Sequence, residues 1–173
     1  MIELSVIIPT YNRSKILSRT LKSLGQQTIN NSRFESLIID DGSSKEELDT
    51  LKKELQESKL NTRLILQKHQ GPAAARNKGI KMAKGKIVLI ANDDTVPDSR
   101  LLEYHLKFHS KHKREADALL GRVTWHPAIE VTPFMKWLEN GGPYFSFNQI
   151  KGRLAGWQRL WTCNISFKKS FLI

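Results

Sequence analysis

Ile87-Val88-Leu89-Ile90-Ala91-Asn92-Asp93-Asp94 runs an apolar stretch straight into two adjacent carboxylates, a pattern that few folds accommodate. A short run rich in β-branched side chains, entered through Gly85-Lys86, fits a strand buried on both faces of a mostly parallel sheet. The carboxyl end of such a strand is where ligands bind in an open α/β sheet. Two neighbouring Asp side chains repel each other and are costly to desolvate, which suits a hard cation with oxygen ligands. A solvated Asp-rich turn capping a strand accounts for the same residues without any ligand.

The same punctuation recurs along the chain. Ser5-Val6-Ile7-Ile8 predicts a buried strand closed at Pro9, which cannot donate to a ladder. Ile16, Leu17, Thr20, Leu21 and Leu24 then recur at helical spacing up to Gln27. Residues 34–39 predict a strand broken by Asp40-Asp41-Gly42-Ser43, and Ser44 with Glu47 makes a capping box for a helix to about Lys59. Residues 63–66 predict a short strand, Gly71-Pro72 opens an Ala-rich helix through Met82, and another helix is expected over residues 98–112. This β-α-β-α-β-α-β-α order predicts parallel strands with helices on both faces, a nucleotide-binding type of architecture. Beyond it the pattern loosens into a strand at 118–125, a short helix at 133–139 and a last strand at 160–167.

At 173 residues and 39% hydrophobic content, the chain suffices for one well-buried domain and is short for two. Its apolar runs fall far below the roughly 20 residues of a spanning helix, and no charged leader opens it, so a soluble, cytoplasmic protein is expected. The single Cys163 permits neither an internal disulfide nor a thiolate metal site. The formal charge of +11 calls for a polyanionic partner: nucleic acid, nucleotide phosphates or the inner face of a membrane. With no base-reading helix, zinc-finger spacing or RNA-binding signature, a nucleic-acid partner is not expected. After Glu139 come Lys151, Arg153, Arg159, Lys168 and Lys169 and no acid, so that end is expected to face phosphates or a missing part of the protein.

Three loops, at residues 9–12, 40–43 and 92–95, are expected to converge at the carboxyl ends of the strands. Asp-Asp-Gly-Ser alone is a good turn sequence, but two acidic turns around one crevice are costly unless a cation or hydrogen-bond donors sit between them. Gly79 and Gly85-Lys86 lack the spacing of a P-loop, and no G-x-G-x-x-G is present. Instead, Gly71-Pro72 opens a helix N-terminus with Arg76 one turn inside, a plausible diphosphate or base contact. His105, His109 and His112 at helical spacing could suggest zinc, but the lysines among them favour a solvated helix face. Trp137, Trp157 and Trp161 read as core, with stacking on an acceptor sugar as the alternative.

Pro9-Thr10-Tyr11-Asn12, Ile39-Asp40-Asp41-Gly42-Ser43, Gly71 with Ala75-Arg76-Asn77-Lys78-Gly79, and Asn92-Asp93-Asp94, in that order, resemble the nucleotide-sugar half of a family 2 glycosyltransferase with the GT-A fold. The likeness covers roughly residues 2 to 110. It implies a single α/β GT-A domain over 1–173, truncated at the C-terminus, with a donor half at 1–115 and a partial acceptor half at 116–173. The implied activity is inverting transfer of a sugar from a UDP- or dTDP-sugar to the hydroxyl of a saccharide or glycolipid acceptor, with Mn2+ or Mg2+ on the diphosphate. Cell-surface polysaccharide or glycolipid synthesis, with peripheral contact at an anionic inner membrane face, is compatible with it.

On this resemblance the donor-binding residues are Pro9, Thr10, Tyr11, Asn12, Asp41, Arg76 and Asp93. Thr10 and Tyr11 would line the base pocket, Asp41 would accept from the pyrimidine, Arg76 would hold the nucleotide, and Asp93 would contact the ribose or a metal-bound water. Asp94 is the implied metal ligand, the last acid of the family's D-x-D position, whose first acid is here Asn92. Residues 162–169 resemble the strand that in this family precedes the loops carrying the general base, and the sequence ends at Ile173 before either. The base is therefore expected beyond Ile173, and a non-catalytic nucleotide-sugar binding module, as a truncated or degenerate copy, is the alternative.

Overall fold

The computed structural model describes residues 1–140, 146–152 and 154–173, so Arg153 of the basic C-terminal stretch lies outside the described residues. The elements in chain order are β1 (Leu4–Thr10), α1 (Ser14–Leu24), β2 (Phe34–Asp40), α2 (Lys45–Glu57), β3 (Thr62–Leu66), α3 (Pro72–Met82), β4 (Ile87–Ala91), α4 (Leu101–Lys111), β5 (Leu119–Leu120), α5 (Pro133–Asn140), β6 (Asn164–Lys168) and α6 (Lys169–Leu172). They build a six-stranded sheet of order β3-β2-β1-β4-β6-β5. The first four strands are parallel, as the alternation of strands and helices requires. β6 is antiparallel to both of its neighbours.

Alternate residues of the buried strands feed two cores. Leu4, Val6 and Ile8 of β1 face Leu17, Leu21 and Leu24 of α1, Leu51 of α2 and Leu102 of α4. Ile7, with Leu37, Ile39, Val88 and Ile90, packs on the opposite face against Ala75 and Ile80 of α3. Each such side chain withdrawn from water stabilises the fold by about 1.5–3 kcal/mol. Gly79 lets α3 lie close on this second face, because a Cβ there would sit 2.5 Å from the Ile7 side chain. That seat aims the N-terminus of α3 at the carboxyl edge of the sheet.

Pro9 does not close β1. The Thr10 carbonyl accepts from Asp41 N on the β2 side, so Pro9 directs its nitrogen towards β4, where pairing has already ended at Ile7. A missing donor therefore costs nothing at that position. The strand predicted over 118–125 shrinks to Leu119–Leu120, and that predicted over 160–167 begins only at Asn164. Downstream of β5 the chain turns to α5, with Trp125 Nε1 donating to the Met135 carbonyl at 3.1 Å.

Two side-chain expectations are overturned. His105 and His109 are buried rather than solvated, because β6 supplies polar partners beneath α4. His105 Nδ1 lies 2.7 Å from Ser166 Oγ and its Nε2 3.0 Å from Asn164 Oδ1, while His109 Nε2 is 2.9 Å from the same Ser166 hydroxyl. The lysines occupy the opposite face of α4, and only His112 of the three is exposed. Trp137 and Trp157 are not core either, at 53% and 77% exposed. Trp137 stacks instead on the still more exposed Phe134 of its own helix, with ring centroids 5.7 Å apart.

Candidate functional site

The three predicted loops do converge at the carboxyl edge of the sheet, joined by a fourth, residues 67–71, between β3 and α3. Short polar side chains interlock the first two. Asn12, in a left-handed conformation at φ 52°, donates its N–H to Ser43 Oγ at 2.8 Å and accepts from Ser44 N through Oδ1 at 2.8 Å. The capping box at α2 is half formed. Ser44 Oγ accepts from Glu47 N at 3.4 Å, but the Glu47 carboxylate reaches across to Ser14 N at 2.8 Å and so supplies α1 with its missing cap.

Asp41 is buried and fully occupied. Its Oδ1 accepts from Gln67 Nε2 at 2.7 Å and Gln70 N at 2.9 Å, while its Oδ2 accepts from Gly71 N at 2.8 Å and lies 3.0 Å from His69 Nδ1. Burial alone would push this carboxyl up, but the hydrogen bonds from Gln67, Gln70 and Gly71 and the His69 ring outweigh it and hold Asp41 below the ordinary carboxylate range. Tyr11, 43% exposed, lies against the His69 ring with centroids 4.3 Å apart, giving the cleft one aromatic wall. Pro9 is buried within β1, so it positions the loop rather than lining the cleft.

The turn after β4 carries the acids. Asp93 is buried, with Oδ2 taking the Thr10 hydroxyl at 2.9 Å and Oδ1 taking Arg13 Nη1 at 2.9 Å. Burial raises its pKa, opposed by the Thr10 hydroxyl and the Arg13 charge and reinforced by Asp94. Thr20 of α1 places its hydroxyl 2.8 Å from the Asp93 carbonyl and 2.6 Å from that of Thr95, which fixes the turn from below. Asp94 projects outward, half exposed, with Arg13 Nη2 at 3.0 Å.

Across the turn, Arg76 Nη2 donates to Asn92 Oδ1 at 3.1 Å. Among the described residues its Nε is buried without a partner, and burial lowers its pKa. Thr10, Tyr11, Asp41, Arg76, Asp93 and Asp94 thus gather on the loops at the carboxyl edge of the sheet, while Asn12 acts as a clamp between loops. Sequence reasoning missed Arg13, His69 and Gln67. The signal for Arg13 was present, since a cation directly follows the Pro9-Thr10-Tyr11-Asn12 stretch and the Asp pair needs a counter-charge. A groove of about 400 Å³ between α1 and α2 is lined by none of these residues.

Mg2+ and Mn2+ are commonly held by one or two carboxylates, with substrate phosphates completing the shell. Asp94, an outward, half-exposed carboxylate whose partner is the equally accessible Arg13 guanidinium, fits that use. Among the described residues no group of three His, Cys, Asp or Glu could hold an ion unaided.

The chain matches the description "Glycosyl transferase family 2" over residues 5–169. It belongs to glycosyl transferase family 2. An uncharacterized glycosyltransferase of Rickettsia conorii is 34% identical over 139 residues, 80% of this chain and 22% of the relative. The poly(ribitol-phosphate) beta-N-acetylglucosaminyltransferase TarS of Staphylococcus aureus is 31% identical over 120 residues, 69% of this chain and 21% of that protein. This family 2 chain therefore spans about a fifth of the length of these curated relatives. The crystal structure of S. aureus TarS 1-349 in complex with UDP-GlcNAc superposes with a TM-score of 0.64 at 28% identity, covering 76% of this chain and 37% of that one. A mannosyltransferase of Pyrobaculum calidifontis, solved with GDP-Man and Mn2+, shares the fold at a TM-score of 0.61 and 23% identity, over 67% of this chain and 34% of that one. The family 2 chain thus has the GT-A fold, with its mostly parallel sheet. Among the described residues no helix is long and apolar enough to cross a membrane.

Proposed function

We propose that this family 2 domain takes a UDP- or dTDP-sugar as donor and transfers the sugar to an acceptor hydroxyl with inversion. The observation that carries the reading is Arg76, a half-buried cation with a buried unpaired Nε and, among the described residues, no carboxylate within ion-pair distance, set one turn inside the α3 N-terminus beside the Asn92-Asp93-Asp94 turn. A cation partly kept out of water with no direct ion pair, only the attraction of the nearby Asp93, is costly, and a diphosphate at a helix N-terminus relieves that cost. The likeness to TarS, solved with UDP-GlcNAc, supports the choice of donor class.

In this reading Thr10 and Tyr11 flank the base. Asp41 accepts from the pyrimidine when His69, an exposed partner, gives way. Asp93 meets the ribose, and Asp94 holds Mn2+ or Mg2+ together with the donor phosphates. The ion supplies neutralisation of the charge that builds on the departing nucleoside diphosphate. Arg76 and the α3 N-terminus bear on the same charge, and because they are fixed by the fold they need no rearrangement as it develops.

An inverting displacement also needs a base for the acceptor hydroxyl. Asp41, Asp93 and Asp94 are each engaged at the donor, and the remaining acids beyond α4 include Glu139, which accepts from Thr124 at 2.8 Å, and the exposed Glu130. We assign the base to none of them. Residues 1–115 form the donor half and 116–173 part of the acceptor wall, with a saccharide or glycolipid acceptor presented at a cytoplasmic membrane face. The test is calorimetric titration of UDP and ADP with Mn2+. UDP should bind more tightly than ADP, and Arg76→Gln should weaken UDP by about tenfold or more, as expected for loss of a charge-assisted contact. Unchanged UDP affinity in Arg76→Gln would overturn the assignment.

A further inference from the structure

Arg13 bridges the two acids of the turn after β4, and its two arms are not alike. The Asp93 arm, at 2.9 Å, reaches a buried carboxylate whose other oxygen is already anchored by Thr10. The Asp94 arm, at 3.0 Å, joins two side chains that are 40% and 46% exposed. Among the described residues Arg13 alone donates a hydrogen bond to the Asp94 carboxylate. The backbone explains how it gets there: Asn12 turns left-handed, Ser14 begins α1, and Arg13 between them reaches across to the turn after β4.

We infer that Arg13 is a positioning residue that serves as the counter-cation of Asp94 until a divalent metal displaces it, and so sets how much metal the site requires. The inference rests on the assignment of Asp94 to the metal in the preceding section. One outward carboxylate cannot be fully given to a guanidinium and to a hard cation together, so the two compete. Of the two arms, the exposed one is cheap to break, because an ion pair in water contributes little. The buried arm is not, since breaking it would leave Asp93 without its charge partner. Metal entry therefore releases Arg13 from Asp94 while Asp93 keeps the turn in register. The fork of the guanidinium is what allows one residue to span both acids, and a lysine, with a single point charge, cannot do so.

This separates charge from geometry in the experiment. Mn2+ is titrated calorimetrically into the 173-residue chain saturated with UDP, for the parent and for Arg13→Lys, Arg13→Gln and Asp94→Ala, and the thermal midpoint of each is recorded without metal. Arg13→Lys keeps the charge but loses the bridge, so it should bind Mn2+ about two- to fivefold more tightly, the range set by loss of a competing exposed ion pair. Its metal-free midpoint should fall, and Mn2+ should restore more of it than in the parent. Mn2+ affinity that is unchanged or weaker in Arg13→Lys overturns the inference, since a residue that merely shaped the turn would weaken metal binding when altered. Tightening in Arg13→Gln without tightening in Arg13→Lys also overturns it, because the effect would then be charge alone. If Asp94→Ala binds Mn2+ as the parent does, the metal assignment itself falls and takes this inference with it.

Discussion

Asp41 shows how much one side chain in this cleft carries. All of its lone pairs hold the loop at residues 67–71, which in turn backs the Tyr11 and His69 wall. Asp41→Ala should therefore lower stability by about 1–3 kcal/mol through the donors left unpaired. It should also weaken UDP roughly ten- to a hundredfold, and ADP by less. Equal losses for the two nucleotides would assign Asp41 to the loop alone. Asp94 has the opposite profile, being outward and held, among the described residues, by Arg13 alone. Asp94→Ala should abolish the Mn2+ dependence of UDP binding while moving the metal-free thermal midpoint little, as exposed ion pairs contribute about 0–1 kcal/mol. Unchanged metal dependence would make Asp94 a turn residue. At this scale the acids and Arg76 were legible in the sequence because each stands at a strand or helix end that local pattern locates. His69 was not, because what it touches lies in other loops and nothing in its own neighbourhood names the partner; Arg13 carried a signal only as a cation next to the first loop, without its two acids being named.

Among the elements, α4 and β6 have the least predictable relation. The position of α4 follows from its periodicity, but its buried face did not. Lysines flank the three histidines, and only the arrival of Ser166 and Asn164 from β6 makes a histidine face a good interior. That choice has a pH signature. Burial brings His105 from 6.5 to about 4, opposed by its bond to Asn164, and burial with the Lys168 charge brings His109 likewise to about 4. The unfolded chain, with ordinary histidines, then binds more protons than the native one between those values. Stability is full above about pH 6.5 and falls as pH drops towards 4, by a few kcal/mol for the pair, at about 1.4 kcal/mol per pKa unit. Urea midpoints measured from pH 7 to pH 4.5 should decline accordingly, and the decline should flatten in the His105→Gln, His109→Gln double variant. An equal slope in that variant would assign the acid sensitivity to other groups.

For the whole molecule, the alternation of strands and helices made the parallel sheet and its two helical layers legible from local pattern alone. The order of the sheet was not, because β6 enters it from far along the chain and runs against the rest. The +11 charge is likewise visible in composition, but where it acts depends on which surfaces the fold leaves free. The place of β6 has a consequence for how the protein is made. β4, whose end carries the Asp93 and Asp94 turn, pairs with β1 on one side and with β6 on the other. Until Asn164–Lys168 has left the ribosome, β4 is an edge strand of bare, apolar and β-branched character, the kind that recruits foreign strands. The donor half by itself would therefore present an unshielded edge. A fragment of residues 1–115 should self-associate in sedimentation velocity at concentrations where the 173-residue chain stays monodisperse, and a monodisperse fragment would refute this. Any attempt to dissect or graft this nucleotide site has to carry β6 with it, or give β4 another shield during synthesis.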